Sequence, residues 1–194
     1  MGRRLTGWLC LVGALSLGVS CTPDEPDAPA STPSPARRPV ADGPPYLCHF
    51  IPQAAVAELT GYTGRYTAGP GRRSAVGDSC AVTNEVQSIL VTGYDRSGDR
   101  VTLENFIQSK EEEGRVKLPP ELGVGEMAND DIGGFPFRGA AVWFRCGNKN
   151  PIIRIYVKKN PGRDQDYDLV QLVRIAERRF AEMFSCELGG PPPG

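Results

Sequence analysis

Few side chains in this chain of 194 residues are suited to chemistry, and most of those are cysteines and carboxylates. There are six cysteines and a single histidine, His49. Cys48 to Cys80 spans 32 residues and Cys146 to Cys186 spans 40, with no Cys-x-x-Cys and only one imidazole available, so zinc ligation fits poorly. An even set of four in an oxidising compartment pairs as disulfides. Of the three possible pairings, Cys48–Cys80 with Cys146–Cys186 is favoured because each bond brackets one half of the folded part. Each closed loop would contribute about 3–4 kcal/mol through lost chain entropy. Glu126, Asp130 and Asp131, beside Asn129, bring oxygen ligands close together. They lack the alternating ligands and the glycine of a calcium loop, so a polar loop with a helix or strand start is the plainer reading. Their use as an acid–base pair would depend on a separation that the fold sets. Phe135, Phe137 and Trp143, near Gly133, Gly134 and Gly139, could line a binding groove, although aromatic side chains more often fill a core. Arg65, Arg72 and Arg73 could meet an anionic ligand or belong to a solvated loop. His49 adjoins a disulfide cysteine and reads as structural. No Gly-x-Ser-x-Gly, Ser-x-x-Lys or His-Glu-x-x-His occurs, so catalysis through histidine, cysteine or zinc is not expected, nor is a cofactor or a metal.

Cys21 belongs to a different chemistry. Arg3 and Arg4 start the chain, Leu5 to Ser20 is apolar or small, and Gly18-Val19-Ser20 leads directly into Cys21. The apolar stretch is too short for an anchor helix and is broken by Gly7, Gly13 and Gly18. Residues 1–20 resemble a bacterial lipoprotein signal peptide, although Leu17 stands four before the cysteine where three is usual. In that class Cys21 would carry lipid and begin the mature chain. Residues 21–45 are rich in proline interleaved with Ala, Ser, Thr and Asp, and bury too little apolar surface to offset their ordering entropy. They read as a disordered tether, about 75 Å long if polyproline-like and about 30 Å as a coil. Residues 189–194 read as a disordered tail. Residues 46–188 make one ordinary domain. The 22 Lys and Arg less Arg3 and Arg4 leave 20 against 23 Asp and Glu, a net charge of −3 that disfavours nucleic acid and anionic lipid surfaces. Membrane contact would rest on the lipid at Cys21.

Within the domain, Pro52 suits a first helical position, and Gln53–Thr60 reads as a short helix stopped by Gly61. Residues 61–79 read as a loop, followed by strands at Ser79–Asn84 and Gln87–Asp95. A second helix is expected from a Thr102 cap to about Glu113, burying Leu103, Phe106 and Ile107. Ala140–Arg145 and Ile152–Lys158 read as paired strands across Gly147–Asn150. In the second of these, Ile153, Ile155 and Val157 alternate with Arg154, Tyr156 and Lys158, giving one covered and one wetter face. Leu169, Leu172, Val173, Ala176, Phe180, Met183 and Phe184 recur at helical spacing, with Asp164, Asp166 and Asp168 at the positive start. The expected fold is α+β, an antiparallel sheet packed by helices in the order α-β-β-α-β-β-α, with two disulfides.

The run Cys48-His49-Phe50-Ile51-Pro52-Gln53-Ala54-Ala55-Val56-Ala57-Glu58-Leu59-Thr60-Gly61, a second cysteine about thirty residues on, and Gly123-Val124-Gly125-Glu126-Met127-Ala128 stand behind the leader and tether. Together they are similar to actinobacterial cell-envelope lipoproteins of domain-of-unknown-function family 3558, over most of the mature domain. Ile51 stands where members often have Thr or Ser, and Ala81-Val82 where an aromatic often follows the second cysteine. The resemblance implies an exported, disulfide-bonded α+β domain and brings no catalytic residues. The expected role is a membrane-anchored, non-catalytic binding or accessory domain facing the cell envelope, holding a protein partner or a small ligand. The alternative is a carboxylate-dependent cell-wall hydrolase or transferase using Glu126, Asp130 or Asp131, which would place two of these in one cleft.

Overall fold

A computed structural model describes residues 34–73, 77–96, 98–110 and 112–192. The expected signal peptide, Cys21, the tether up to residue 33 and the side chains of Arg72 and Arg73 lie outside the described residues. The chain runs β1 (Tyr46–Leu47), β2 (Ile51–Pro52), α1 (Val56–Thr60), β3 (Thr67–Arg73), β4 (Gly77–Thr83), β5 (Ser88–Asp95) and α2 (Arg100–Gln108), then β6 (Val116–Lys117), β7 (Val124–Asp131), β8 (Pro136–Trp143), β9 (Ile152–Lys158) and α3 (Gln165–Phe184). β1 and β2 form a small hairpin, and the other seven strands form one antiparallel sheet in the order β3-β4-β5-β9-β8-β7-β6.

The fold is therefore α+β, as expected, with helices on an antiparallel sheet. The element order is corrected: three strands separate α1 from α2 and four separate α2 from α3. β3 lies inside the expected loop at 61–79. Its sequence Thr67-Ala68-Gly69-Pro70-Gly71 has no apolar alternation, and it forms by pairing at the sheet edge, where proline costs no inner ladder bond. Around Glu126, where a polar loop with a helix or strand start was expected, β7 runs through the whole segment, because β8 offers it a partner from Val124↔Trp143 to Asp131↔Pro136. α2 starts earlier than expected and is capped by Asp99, whose Oδ1 accepts from the Thr102 backbone N–H at 2.7 Å.

The period of two in β9 sends Ile153, Ile155 and Val157 to the face that α3 covers, where they meet buried Leu169, Leu172, Val173, Ala176 and Phe180. α1 packs on the same side through Val56 and Leu59. On the opposite face α2 lays Leu103 against Ala141, Trp143 and Ile152. The Trp143 indole N–H donates to the carbonyls of Gly98 and Asn150, at 3.2 and 3.1 Å, and so joins the start of α2 to the β8–β9 turn. Cys48–Cys80 fastens the small hairpin to β4, and Cys146–Cys186 fastens the end of α3 to the segment after β8.

Both expected free ends extend less far than composition implied. The Ala36 N–H donates to Gly162 O at 3.1 Å, and Asp164 N–H donates to Ala36 O at 3.0 Å. Val40 is buried, and its N–H donates to Gln171 Oε1 at 2.9 Å. Buried Arg163 draws this strap in. It donates to Asp168 at 3.0 and 2.5 Å, to Glu58 at 2.6 Å and to the Arg38 carbonyl at 2.8 Å. At the other end Gly189 N–H donates to Arg145 O and Arg145 N–H to Gly190 O, at 3.0 and 2.8 Å, so the start of the expected tail is paired too.

Glu177 on α3 is 7% exposed, and its Oε1 has no hydrogen-bond partner among the described residues. Burial pushes its carboxyl up to about 8, against a smaller lowering by Arg174. Two outcomes follow for stability. Arg163→Met leaves the Asp168 carboxylate buried and unpaired and should cost about 3–5 kcal/mol in urea unfolding, with Arg163→Lys recovering only part because it lacks the fork. For Glu177, the unfolded chain loses its proton near 4.5 and the folded chain keeps it to about 8. Its contribution is therefore intact below about pH 4.5 and is lost as pH rises towards 8. Glu177→Gln should match wild type at pH 4.5 and exceed it by about 2–4 kcal/mol at pH 8. Equal pH slopes for the two proteins would contradict this.

Candidate functional site

α2 is only nine residues long and packs over β7, β8 and β9, leaving the β4–β5 side of the same face without a helix among the described residues. Strand alternation decides what faces this gap. β4 contributes Gly77 and Ser79, β5 contributes Val91, Gly93 and Asp95, and β9 contributes Arg154 and Tyr156. Phe106 of α2 forms the wall. The result is a groove of about 310 Å³.

Two glycines shape it in different ways. Gly93 stands between Ser79 and Arg154 in the register, and a Cβ there would meet nothing closer than 3.6 Å, so its hydrogen leaves space in the floor. Gly139 lies opposite Tyr156, and a Cβ there would come within 2.4 Å of Tyr156 Cδ1. The tyrosine ring therefore lies down over β8. It meets Phe106 edge to face at 6.0 Å between centroids. Lys110 Nζ sits 4.9 Å from the Phe106 ring centroid and 5.4 Å from that of Tyr156, and is paired with Asp130 at 2.7 Å. Burial, with the nearby Asp130 charge, raises the Tyr156 phenol well above its ordinary range, and Arg154 pulls the other way. At neutral pH the ring thus carries an O–H.

Arg154 is the distinctive group. Its guanidinium is half-buried and lies 5.8 Å from the Phe106 centroid. It makes no hydrogen bond or ion pair among the described residues. Arg138 and Arg163, by contrast, are tied to Asp166 and Asp168.

The residues singled out from sequence fall elsewhere. Phe137 and Trp143 are buried, and Phe135 lies half-exposed in the β7–β8 turn, where its carbonyl accepts from Ile132 N–H at 3.0 Å. Glu126 lies under α2 beside Ile107 and Ala128. Asp130 is taken by Lys110, and Asp131, odd where the others are even along β7, projects to the other face and accepts from Gly134 N–H at 2.7 Å. Glu126 and Asp130 share the α2 side of β7 beside Lys110, and Asp131 does not join them. Among the described residues no group of three or more His, Cys, Asp or Glu could hold a metal ion. Sequence reasoning placed Arg154 and Tyr156 only on a wetter face. The usable signal was an arginine and a tyrosine alternating along a strand otherwise apolar enough to be central.

Compared with known protein families, curated proteins and solved structures, the chain matches none. Among the described residues no helix is long and apolar enough to cross a membrane. The two glycines separate cleanly by experiment. Gly139→Val must displace the Tyr156 ring and should cost about 1–3 kcal/mol in thermal unfolding, with a changed near-ultraviolet circular dichroism. Gly93→Ala should leave stability unchanged or slightly raised, since it relieves chain entropy without a clash.

Proposed function

We propose that this chain is a lipid-anchored, extracytoplasmic domain of the cell envelope that binds a ligand or partner without turning it over. The observation that carries the binding half is the groove with Arg154, which makes no hydrogen bond or ion pair among the described residues. The envelope half rests on the leader ending at Cys21 and on four further cysteines that form two bonds. It draws as well on the short motifs similar to family 3558. In this reading the domain presents the open sheet face to the periplasm or wall, and the lipid at Cys21 keeps it near the membrane.

The test uses the full chain expressed in an envelope-bearing host with labelled palmitate, as wild type, Cys21→Ala and Gly93→Trp. Wild type should take up label and fractionate with membranes, and Cys21→Ala should do neither. Purified wild type should retain a stoichiometric protein or small molecule that Gly93→Trp loses while keeping its unfolding midpoint. Wild type and Gly93→Trp retaining the same material would sink the binding half, and label-free wild type would sink the anchor.

A further inference from the structure

We propose that the groove takes a flat, apolar group bearing one carboxylate, with the Arg154 guanidinium holding the carboxylate and the Phe106 and Tyr156 rings receiving the flat group. This rests on the reading that the groove is a binding site, and it names the class of ligand.

The charge argument comes first. A half-buried guanidinium with no hydrogen bond or ion pair among the described residues has lost part of its hydration, offset only by the Phe106 ring beside it, so an incoming anion is attracted in a medium of reduced dielectric. The planar fork of arginine matches a carboxylate with two parallel N–H donors, and such charge-assisted bonds are about twice as strong as neutral ones. A carboxylate conjugated to a ring lies in the ring's plane, so one rigid flat group can meet both the planar fork and the aromatic wall, whereas a tetrahedral phosphate ester leaves that plane.

Shape supplies the rest. Gly93 keeps the floor low, and Val91 gives it an apolar patch. Phe106 and Tyr156 stand edge to face on one side, a pair whose ring faces and edges favour another flat ring. A groove of about 310 Å³ is at the small end of ligand sites and suits one or two fused rings. Lys110 above the rings is already committed to Asp130 and so does not compete for the anion.

The probe is naphthalene-2-carboxylate, titrated calorimetrically into the full-length protein against a matched protein-free blank. The neutral naphthalene-2-methanol and the dianionic 2-naphthyl phosphate are run beside it. The carboxylate should bind at least tenfold more tightly than the alcohol and more tightly than the phosphate. Arg154→Gln should bring the carboxylate to the level of the alcohol and leave the alcohol unchanged, while Arg154→Lys gives an intermediate loss. Gly93→Trp should abolish binding of both. Urea midpoints of the variants check that they fold. Carboxylate and alcohol binding alike, phosphate binding best, or an Arg154→Gln protein that keeps full carboxylate affinity would each overturn the proposal. If Gly93→Trp nevertheless sheds the native cargo, only the ligand class is wrong. If the naphthoate pattern holds but Gly93→Trp keeps the cargo, the ligand class stands and the binding reading of the native function falls.

Discussion

One desolvated cation organises this molecule. Arg163 sits two residues before α3, buried to 6% exposure, and all of its nitrogen positions are engaged. Hydrogen bonding to Asp168, together with the Glu58 charge, holds it more firmly protonated than an ordinary arginine. A buried ion pair is weak evidence for net stability, because desolvation offsets most of its Coulombic gain. Its value is in specification. Asp168 belongs to α3, Glu58 to α1 and the Arg38 carbonyl to the N-terminal strap, so a single charge that must be satisfied fixes three segments remote in sequence. Neighbouring Asn160 completes the junction by donating to the carbonyls of Glu58 and Leu59, which sit near the end of α1 without helical partners. With that junction set, α3 can only run across the sheet face that Ile153, Ile155 and Val157 make apolar.

The other face follows from a mismatch of lengths. α3 has 20 residues and spans about 30 Å, enough to cross most of a twisted seven-stranded sheet. α2 has nine residues and covers the β7–β9 side only. The central strand β9 is thus fully apolar towards α3 and carries Arg154 and Tyr156 on the side that α2 leaves partly open. Polar residues on a central strand sacrifice packing, and local departures of this kind gather where a protein meets something else.

How much of this was legible in the sequence depended on how many residues carried each signal. α3 repeats its apolar positions over five turns, and β9 alternates without a break, so both stand out and both lie where expected. The pairing of the cysteines followed from their bracketing of two halves. β3 and β7 were hidden for a common reason: both are half-solvated, β3 at the sheet edge and β7 next to the two-residue β6, and Thr67-Ala68-Gly69-Pro70-Gly71 or Glu126-Met127-Ala128-Asn129-Asp130 owes its conformation to a neighbour's ladder and not to its own pattern. The strap was hidden because its contacts are mostly backbone groups of Ala36, Arg38 and Val40, which composition does not register. The groove was least visible of all, since it is defined by where α2 stops and by two glycines that differ only in what lies opposite them.

The strap and the first disulfide together have a mechanical meaning. A pull arriving at residue 34 loads, in turn, the Ala36 hydrogen bonds, the Val40–Gln171 bond and the Arg178–Asp42 pair, all of them non-covalent. Peeling ends at Cys48, whose bond to Cys80 hands the tension to β4 and leaves the chain between them slack. Residues 34–47 therefore pay out at most about 50 Å before the sheet feels any force. The domain has a short extensible lead in series with a cross-linked body, so stretch is absorbed before the groove is deformed.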